Sequence, residues 1–360
     1  MTGDSATVRV SVLDLVPVRT GQSSADAVAA SIALAQVAED VGATRYWFAE
    51  HHNMRAVAST SPPVLAAAVA SVTRRLRVGS GGVMLPNHTP FVVAEQFAAL
   101  EAIAPGRIDL GLGRSPGSDP AVGEILRNGR ASEDSYPEDI ESILDLLSAR
   151  ELAVRHRDGR LHSVAVTPAA ATVPEVWLLG SSDYSALLAA RLGLPYVFAS
   201  HFSIAGIERA LDIYRSQFRS REGREDPITV ITANVSVSDS RREAVELALP
   251  QARAYARLHL GQSLGALETV EDALEAARDQ RVDRLADEAI DSWIVDTPEL
   301  AGDHLLKLAS RFGADEVMIS PVASASRNDP LDRYPARESS VQSLAARLIA
   351  DTRDDEGAVT

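Results

Sequence analysis

Arg45-Tyr46-Trp47-Phe48-Ala49-Glu50-His51-His52 is a short aromatic run closed by a carboxylate and two imidazoles. Three aromatic side chains in succession favour a buried strand, because they fill a pleated surface well. Side chains alternate along a strand, so Ala49 and His51 share one face while Glu50 and His52 share the other. Imidazoles titrate nearest to neutral pH, which suits a pair at a strand end to proton transfer. Ordinary hydrogen-bonded surface histidines are the plainer reading of the same two residues.

Outward from this run the same rhythm repeats. Strand-like 8–15 precedes helix-like 25–41, and 45–49 precedes 62–73. Segment 76–85 precedes 91–103, and 107–112 precedes 137–147 after a long loop. Then 176–179 leads to 184–192, 196–199 to 206–220, 228–237 to 241–258, and 316–320 to 341–350. Eight βα units imply parallel strands and suit an α/β fold of the closed (βα)8 TIM-barrel type. The strands are nearly continuous in apolar residues, as burial on both faces requires. An open doubly wound sheet is the competitor, and helix count alone does not exclude it.

The chain has 360 residues, a length that one barrel with insertions accommodates, and no Gly/Ser/Pro linker divides it. Its net charge of −15 opposes binding to nucleic-acid phosphates or an anionic membrane. With no cysteine there is no disulfide, thiol nucleophile or thiolate metal site. The N-terminus lacks signal-peptide features, and the longest nearly apolar stretch, 62–72, is too short to span a bilayer. A cytoplasmic location is expected.

Two segments interrupt the rhythm: 115–134, rich in Gly, Pro, Ser and charge, and 261–297, charged and helix-prone. Both follow strands at the expected C-terminal rim, where substrate loops sit. A third loop, 321–339, carries Arg327, Asp332, Arg333 and Tyr334, and residues 352–360 read as a disordered tail.

Three further motifs point to an anionic ligand lying against backbone. Leu110-Gly-Leu-Gly-Arg114-Ser-Pro116-Gly fails as a dinucleotide fingerprint, because Pro116 takes the third glycine position. It leaves small residues at a strand end and one arginine, Arg114. Leu179-Gly180-Ser181-Ser182-Asp183-Tyr184-Ser185 joins a strand to a helix whose free N–H groups attract anions, though an N-cap explains part of it. Gly79-Ser-Gly81-Gly82 inside a strand marks a bulge, a close backbone approach or a crowded barrel position. No HxH or HExxH spacing suggests metal catalysis. His88 and His201 follow strands and are within reach of the pocket, but local hydrogen bonding is the commoner role for such residues.

In this order the motifs resemble the bacterial luciferase-like family of flavin-dependent monooxygenases over most of the chain: Trp47–His52, Val78–Pro86, Gly106–Arg114, Leu179–Ser182 and Gly193-Leu-Pro195. Ser11-Val-Leu-Asp14 and Ala199-Ser-His-Phe202 are similar to a subgroup that includes tailoring oxygenases of aromatic polyketide pathways, such as the mensacarcin pathway. The resemblance implies a reduced-FMN-dependent monooxygenase using O2 through a flavin peroxide on a small organic substrate. Reduced flavin would come from a separate reductase, since no nicotinamide fingerprint is present, and the chain would be a homodimer. His51 matches the catalytic histidine. Arg114, Gly180, Ser181, Ser182 and Ser185 match the phosphate cradle. Gly81-Gly82 falls where the family has a non-prolyl cis peptide behind the flavin ring. Segment 261–297 lies where luciferases carry a mobile loop, with Asp296 at a position where many relatives have glycine. The wider superfamily also uses deazaflavin, so a deazaflavin-dependent dehydrogenase or reductase is the alternative, and a non-catalytic flavin-binding barrel a weaker one. A Schiff-base aldolase barrel fits poorly, because the only lysine, Lys307, lies in a helical stretch.

Overall fold

The computed structural model describes residues 8–115, 117–127, 135–148, 152–201, 204–221 and 223–356. Pro116, Phe202 and the stretches 128–134 and 357–360, on which parts of the sequence reading fell, lie outside them. In chain order the elements are β1 (Arg9–Asp14), α1 (Ser24–Asp40), β2 (Arg45–Phe48), α2 (Pro62–Val72), β3 (Arg77–Met84) and α3 (Pro90–Ile103). Next come β4 (Ile108–Gly113), α4 (Pro120–Arg127), α5 (Tyr136–Leu147), β5 (Leu152–Arg155) and β6 (Leu161–Val164). They are followed by β7 (Glu175–Gly180), α6 (Asp183–Leu192), β8 (Tyr196–Phe198), α7 (Ile207–Gln217), β9 (Thr229–Val237) and α8 (Arg241–His259). The chain ends with α9 (Val270–Glu275), α10 (Gln280–Ser292), β10 (Ile294–Asp296), α11 (Pro298–Phe312), β11 (Glu316–Pro321) and α12 (Pro335–Glu356).

Eight strands pair in parallel in the ring order β1-β2-β3-β4-β7-β8-β9-β11, and β11 returns to β1. The barrel is therefore closed, as eight βα units required, and all eight strands fall on the segments expected from sequence. The register of β3 against β4 shifts between Ser80 and Val83, the bulge that the glycines signalled.

Alternation sorts each strand into an inner and an outer face, and the inner residues stack in layers. At the closed end Arg45 reaches Asp109 at 2.9 Å and Glu316 at 2.8 Å, and Trp47 Nε1 donates to Asp109 at 2.9 Å. Burying a cation is costly without partners; here the two carboxylates hold the Arg45 guanidinium firmly charged against that cost. Above this layer Leu13, Trp47, Trp177, Val197, Val230 and Met318 form an apolar plug, with the two indoles edge to face at 5.4 Å. This plug floors the open end of the barrel. The larger cluster lies between the outer strand faces and the helices, with Tyr46, Phe48, Phe97 and Phe198 among its buried side chains.

The sequence reading missed the β5–β6 hairpin, α4, β10 and α11. The helix-prone segment 261–297 holds α9 and α10, and α10 packs its Val282, Ala286, Ala289 and Ile290 against an alanine stripe on α8. The segment is also tied down: Leu267 N–H donates to Val18 O at 2.7 Å and Val270 N–H to Ala325 O at 3.1 Å. Asp296 ends β10, which pairs with β9, and its Oδ2 lies 3.5 Å from Arg241. Helix α12 is longer than expected and continues to Glu356, so 352–356 is helical. No helix among the described residues is long and apolar enough to cross a membrane.

Candidate active site

The inner faces of the strands leave one large cavity of about 740 Å³ above the apolar plug, at the C-terminal mouth of the barrel. Leu13, Ala49 and Leu179 form part of its floor, and His51, Gly81, Gly82, Arg114, Gly180, Ser181, Ser182, Ser185 and His201 all line it. Every site residue expected from the sequence therefore reaches the same cavity. His88 does not.

His51 continues the inward face set by Trp47 and Ala49. Its Nδ1 lies 2.5 Å from Glu50 O, and a carbonyl oxygen only accepts, so Nδ1 carries the proton. In the neutral ring Nε2 is then the lone-pair nitrogen. Burial lowers the His51 pKa more than Glu50 raises it, which keeps the ring neutral near pH 7. His201 lies deeper: burial, then the neighbouring His51, push its pKa down to about 3, and its Nδ1 lies 2.5 Å from Thr232 Oγ1.

Glu50 and His52 occupy the opposite face, as alternation demands. The buried Glu50 carboxylate accepts from His52 Nε2 at 2.8 Å, His88 Nε2 at 2.7 Å and the Met84 N–H at 3.1 Å. Burial alone would raise its pKa, but these donors overcome it and hold the group at about 2. The sequence exposed all three residues without showing that they form one network, since His88 is 38 positions from Glu50.

The second half of the site faces β4 and β7. Arg114 leaves the end of β4 and lays its guanidinium 4.5 Å from the centre of the Tyr184 ring, in the first turn of α6. Ser182 is the N-cap of that helix, with Ser185 as its reciprocal capping partner. The Ser185 hydroxyl is committed to Ser182 O at 2.8 Å and to the Tyr196 hydroxyl at 2.9 Å, so it shapes the turn from below. Gly180 is required there, because a Cβ would fall on the Ser185 side chain. A cation beside a helix N-terminus is unfavourable unless an anion joins them. Among the described residues no carboxylate pairs with Arg114, and the nearby Asp183 is paired instead with Arg209 at 2.9 Å. The Gly81–Gly82 peptide, on the wall between His51 and this cradle, is cis.

Residues 8–316 match the family described as luciferase-like monooxygenase. The chain belongs to that family. It is 44% identical to a luciferase-like monooxygenase of Escherichia coli (strain K12) over 258 residues, 71% of this chain and 75% of that protein. The crystal structure of apo-MsnO8 superposes with a TM-score of 0.82 at 30% identity, covering 95% of this chain and 98% of that one. At 16% identity, the oxygenating constituent of 3,6-diketocamphane monooxygenase from the CAM plasmid of Pseudomonas putida, solved with FMN, shares the fold with a TM-score of 0.67 over 95% of this chain and 98% of its own.

The sequence reading did not find the rest of the cavity wall. Tyr255 and Leu258 of α8, Leu264, Trp293 and Val322 give it an apolar outer side, and Asn234, Gln251 and Arg337 add polar groups. Trp293 and Tyr255 are edge to face at 6.1 Å. They meet because α10, which Trp293 follows, packs on α8, a tertiary arrangement without a local sequence signal.

Proposed function

We propose that the chain is a cytoplasmic FMN-dependent monooxygenase that takes reduced FMN from a separate reductase and uses O2 to oxygenate an apolar organic substrate. One observation carries this reading. Arg114 and the N-terminus of α6 converge at the cavity, and no carboxylate among the described residues pairs with Arg114, which suits the place to a phosphate monoester. Gly180 and the Gly81–Gly82 pair present backbone without side chains to the cavity, their Cβ positions being taken by Ser185, Leu13 and the Gly111 carbonyl. Arg114, Ser181 and Ser182 would hold the phosphate, and the backbone at Gly81–Gly82 would support the ring. When bound, reduced FMN supplies the two electrons that activate oxygen.

The residues of the chain do the rest. The apolar floor and the apolar side formed by Tyr255, Leu258, Leu264 and Trp293 limit water at the reacting centre. His51, with its Nδ1 proton fixed by Glu50 O, accepts or returns a proton at Nε2. His201 extends the neutral lining of the pocket. The FMN complex of a protein of the same fold supports the cofactor assignment. Anaerobic titration with reduced FMN and with reduced deazaflavin, followed by admission of oxygen, tests it. FMN should bind the more tightly and consume oxygen when air is admitted. Preferential binding of deazaflavin with no oxygen uptake would make the chain a dehydrogenase or reductase instead.

A further inference from the structure

We propose that Arg337 is the substrate-recognition residue of the cavity, binding a hydrogen-bond-accepting oxygen (a carbonyl or phenol) on an otherwise apolar substrate. The proposal rests on the flavin reading for which end of the cavity holds the phosphate, and the barrel's own order supplies the rest. The cradle sits between β4 and β7. Four strand steps around the ring in either direction lead to the gap between β11 and β1, the opposite wall. Arg337 occupies that wall, in the first turn of α12, and lines the cavity.

Its side chain is 96% buried, and its hydrogen bonds use only part of the guanidinium. Nε donates to Pro321 O at 3.0 Å and Nη2 to Asp14 Oδ1 at 2.7 Å. Nη1 has no partner among the described residues, yet it is not among the buried polar atoms sealed away without one. A guanidinium nitrogen that is neither bonded nor sealed, on a residue that lines a cavity, faces that cavity. Its position is also expensive. A cation in the first turn of a helix opposes the helix dipole, and burial adds a desolvation cost. Asp14 offsets both. It accepts from the Tyr46 hydroxyl at 2.5 Å and from the Val16 N–H at 2.8 Å, which pins it in place.

Because Arg337 and Asp14 together are neutral, the open N–H groups suit a polarised oxygen better than a full carboxylate, which would also meet Asp14. The same cavity has an apolar side with Leu264, Trp293 and Val322, which suits a ligand that is otherwise hydrophobic. The chemical class is a cyclic or aromatic ketone, quinone or phenol.

The test uses three probes of one bicyclic size: naphthalene, 1-naphthol and 1-tetralone. Their binding is followed by quenching of tryptophan fluorescence, with and without oxidised FMN. In the native protein the two oxygenated probes should bind at least tenfold more tightly than naphthalene. Arg337→Gln should reduce that preference to less than about twofold while leaving the naphthalene and FMN dissociation constants within twofold of native. If Arg337→Gln alone does not fold, Asp14→Asn with Arg337→Gln removes both charges together and reads the same preference. A native protein that does not prefer the oxygenated probes, or a variant that keeps the preference, overturns the proposal. Failure of reduced FMN to bind native protein under anaerobic conditions overturns the cofactor reading instead, and the probe preference without FMN is then still read.

Discussion

The two imidazoles at the end of β2 differ in what each one faces, and that difference predicts how their variants behave. His51 reaches the cavity with Nδ1 held by a backbone carbonyl, whereas His52 donates to buried Glu50 on the opposite face. His51→Ala should therefore keep FMN affinity, lose about two to four decades of product formation, and release more hydrogen peroxide. His52→Ala should cost mainly thermal stability. Equal loss of turnover in both, or loss of FMN binding in His51→Ala, would remove the proton-transfer role from His51. Arg114→Ala should weaken reduced FMN by about tenfold or more, the value of a charge-assisted contact, and weaken riboflavin much less. Equal effects on the two ligands would refute the phosphate assignment. His201 carries a pH signature. An unfolded imidazole titrates near 6.5 and the buried one near 3, so across that window the unfolded chain binds a proton that the folded chain does not. Stability should fall on acidification by up to about 1.4 kcal/mol per pH unit from this residue, with nothing lost above pH 6.5. Denaturant midpoints from pH 7 to pH 4 should show a shallower decline in His201→Asn than in native protein.

At the scale of elements, Glu50 joins the ends of two strands. Its carboxylate links β2 to the Met84 N–H at the end of β3 and to His88 just beyond. Glu50→Ala strands three donors and should destabilise by about 1–3 kcal/mol. Glu50→Ala keeps the backbone oxygen that fixes the His51 tautomer but removes a carboxylate charge that raises the His51 pKa, so the pH profile of turnover should move to lower pH; an unshifted profile would show that the carboxylate does not act on the ring. The carboxylate also lends stability that is present above its unfolded pKa of 4.5 and is lost as pH falls toward about 2. Much of this architecture was legible in the sequence. Short, nearly apolar runs marked all eight barrel strands, because burial on both faces leaves a continuous signature. The Gly81–Gly82 site and the Gly180–Ser182 turn stood out because glycines in and at the ends of strands mark positions too crowded for a side chain, here by Leu13, the Gly111 carbonyl and Ser185. Contacts between distant segments were not legible. Nothing local to His88 points to Glu50, and nothing local to Arg337 points to Asp14. The helix-prone character of 261–297 was legible, but the packing of its small alanine and valine residues on α8 was not, because that contact leaves no local signal.

For the molecule as a whole, a barrel covers its inner and core-facing surfaces with its own helices, so apolar residues left outside call for a partner. On α2, Val64 is 67% and Val72 44% exposed; on the adjoining α3, Val92 is 46% and Ile103 55% exposed. Both helices keep small, apolar inner faces against the strands, which accounts for Ala66, Ala70, Ala94 and Ala98 but not for the outer valines and isoleucine. Exposed apolar side chains gathered on two neighbouring helices suit an association site, and a second copy of the same chain gives the closed two-fold pairing most often found. We therefore expect a homodimer formed through α2 and α3, with both cavity mouths left open. Light scattering at micromolar concentration should give a mass near twice the 38.4 kDa of one chain. Val64→Glu with Val92→Glu should shift the protein toward monomer while leaving FMN affinity unchanged, because neither residue lines the cavity. A native mass near 38.4 kDa would refute the pairing. A double variant that remains dimeric would move the interface to another face.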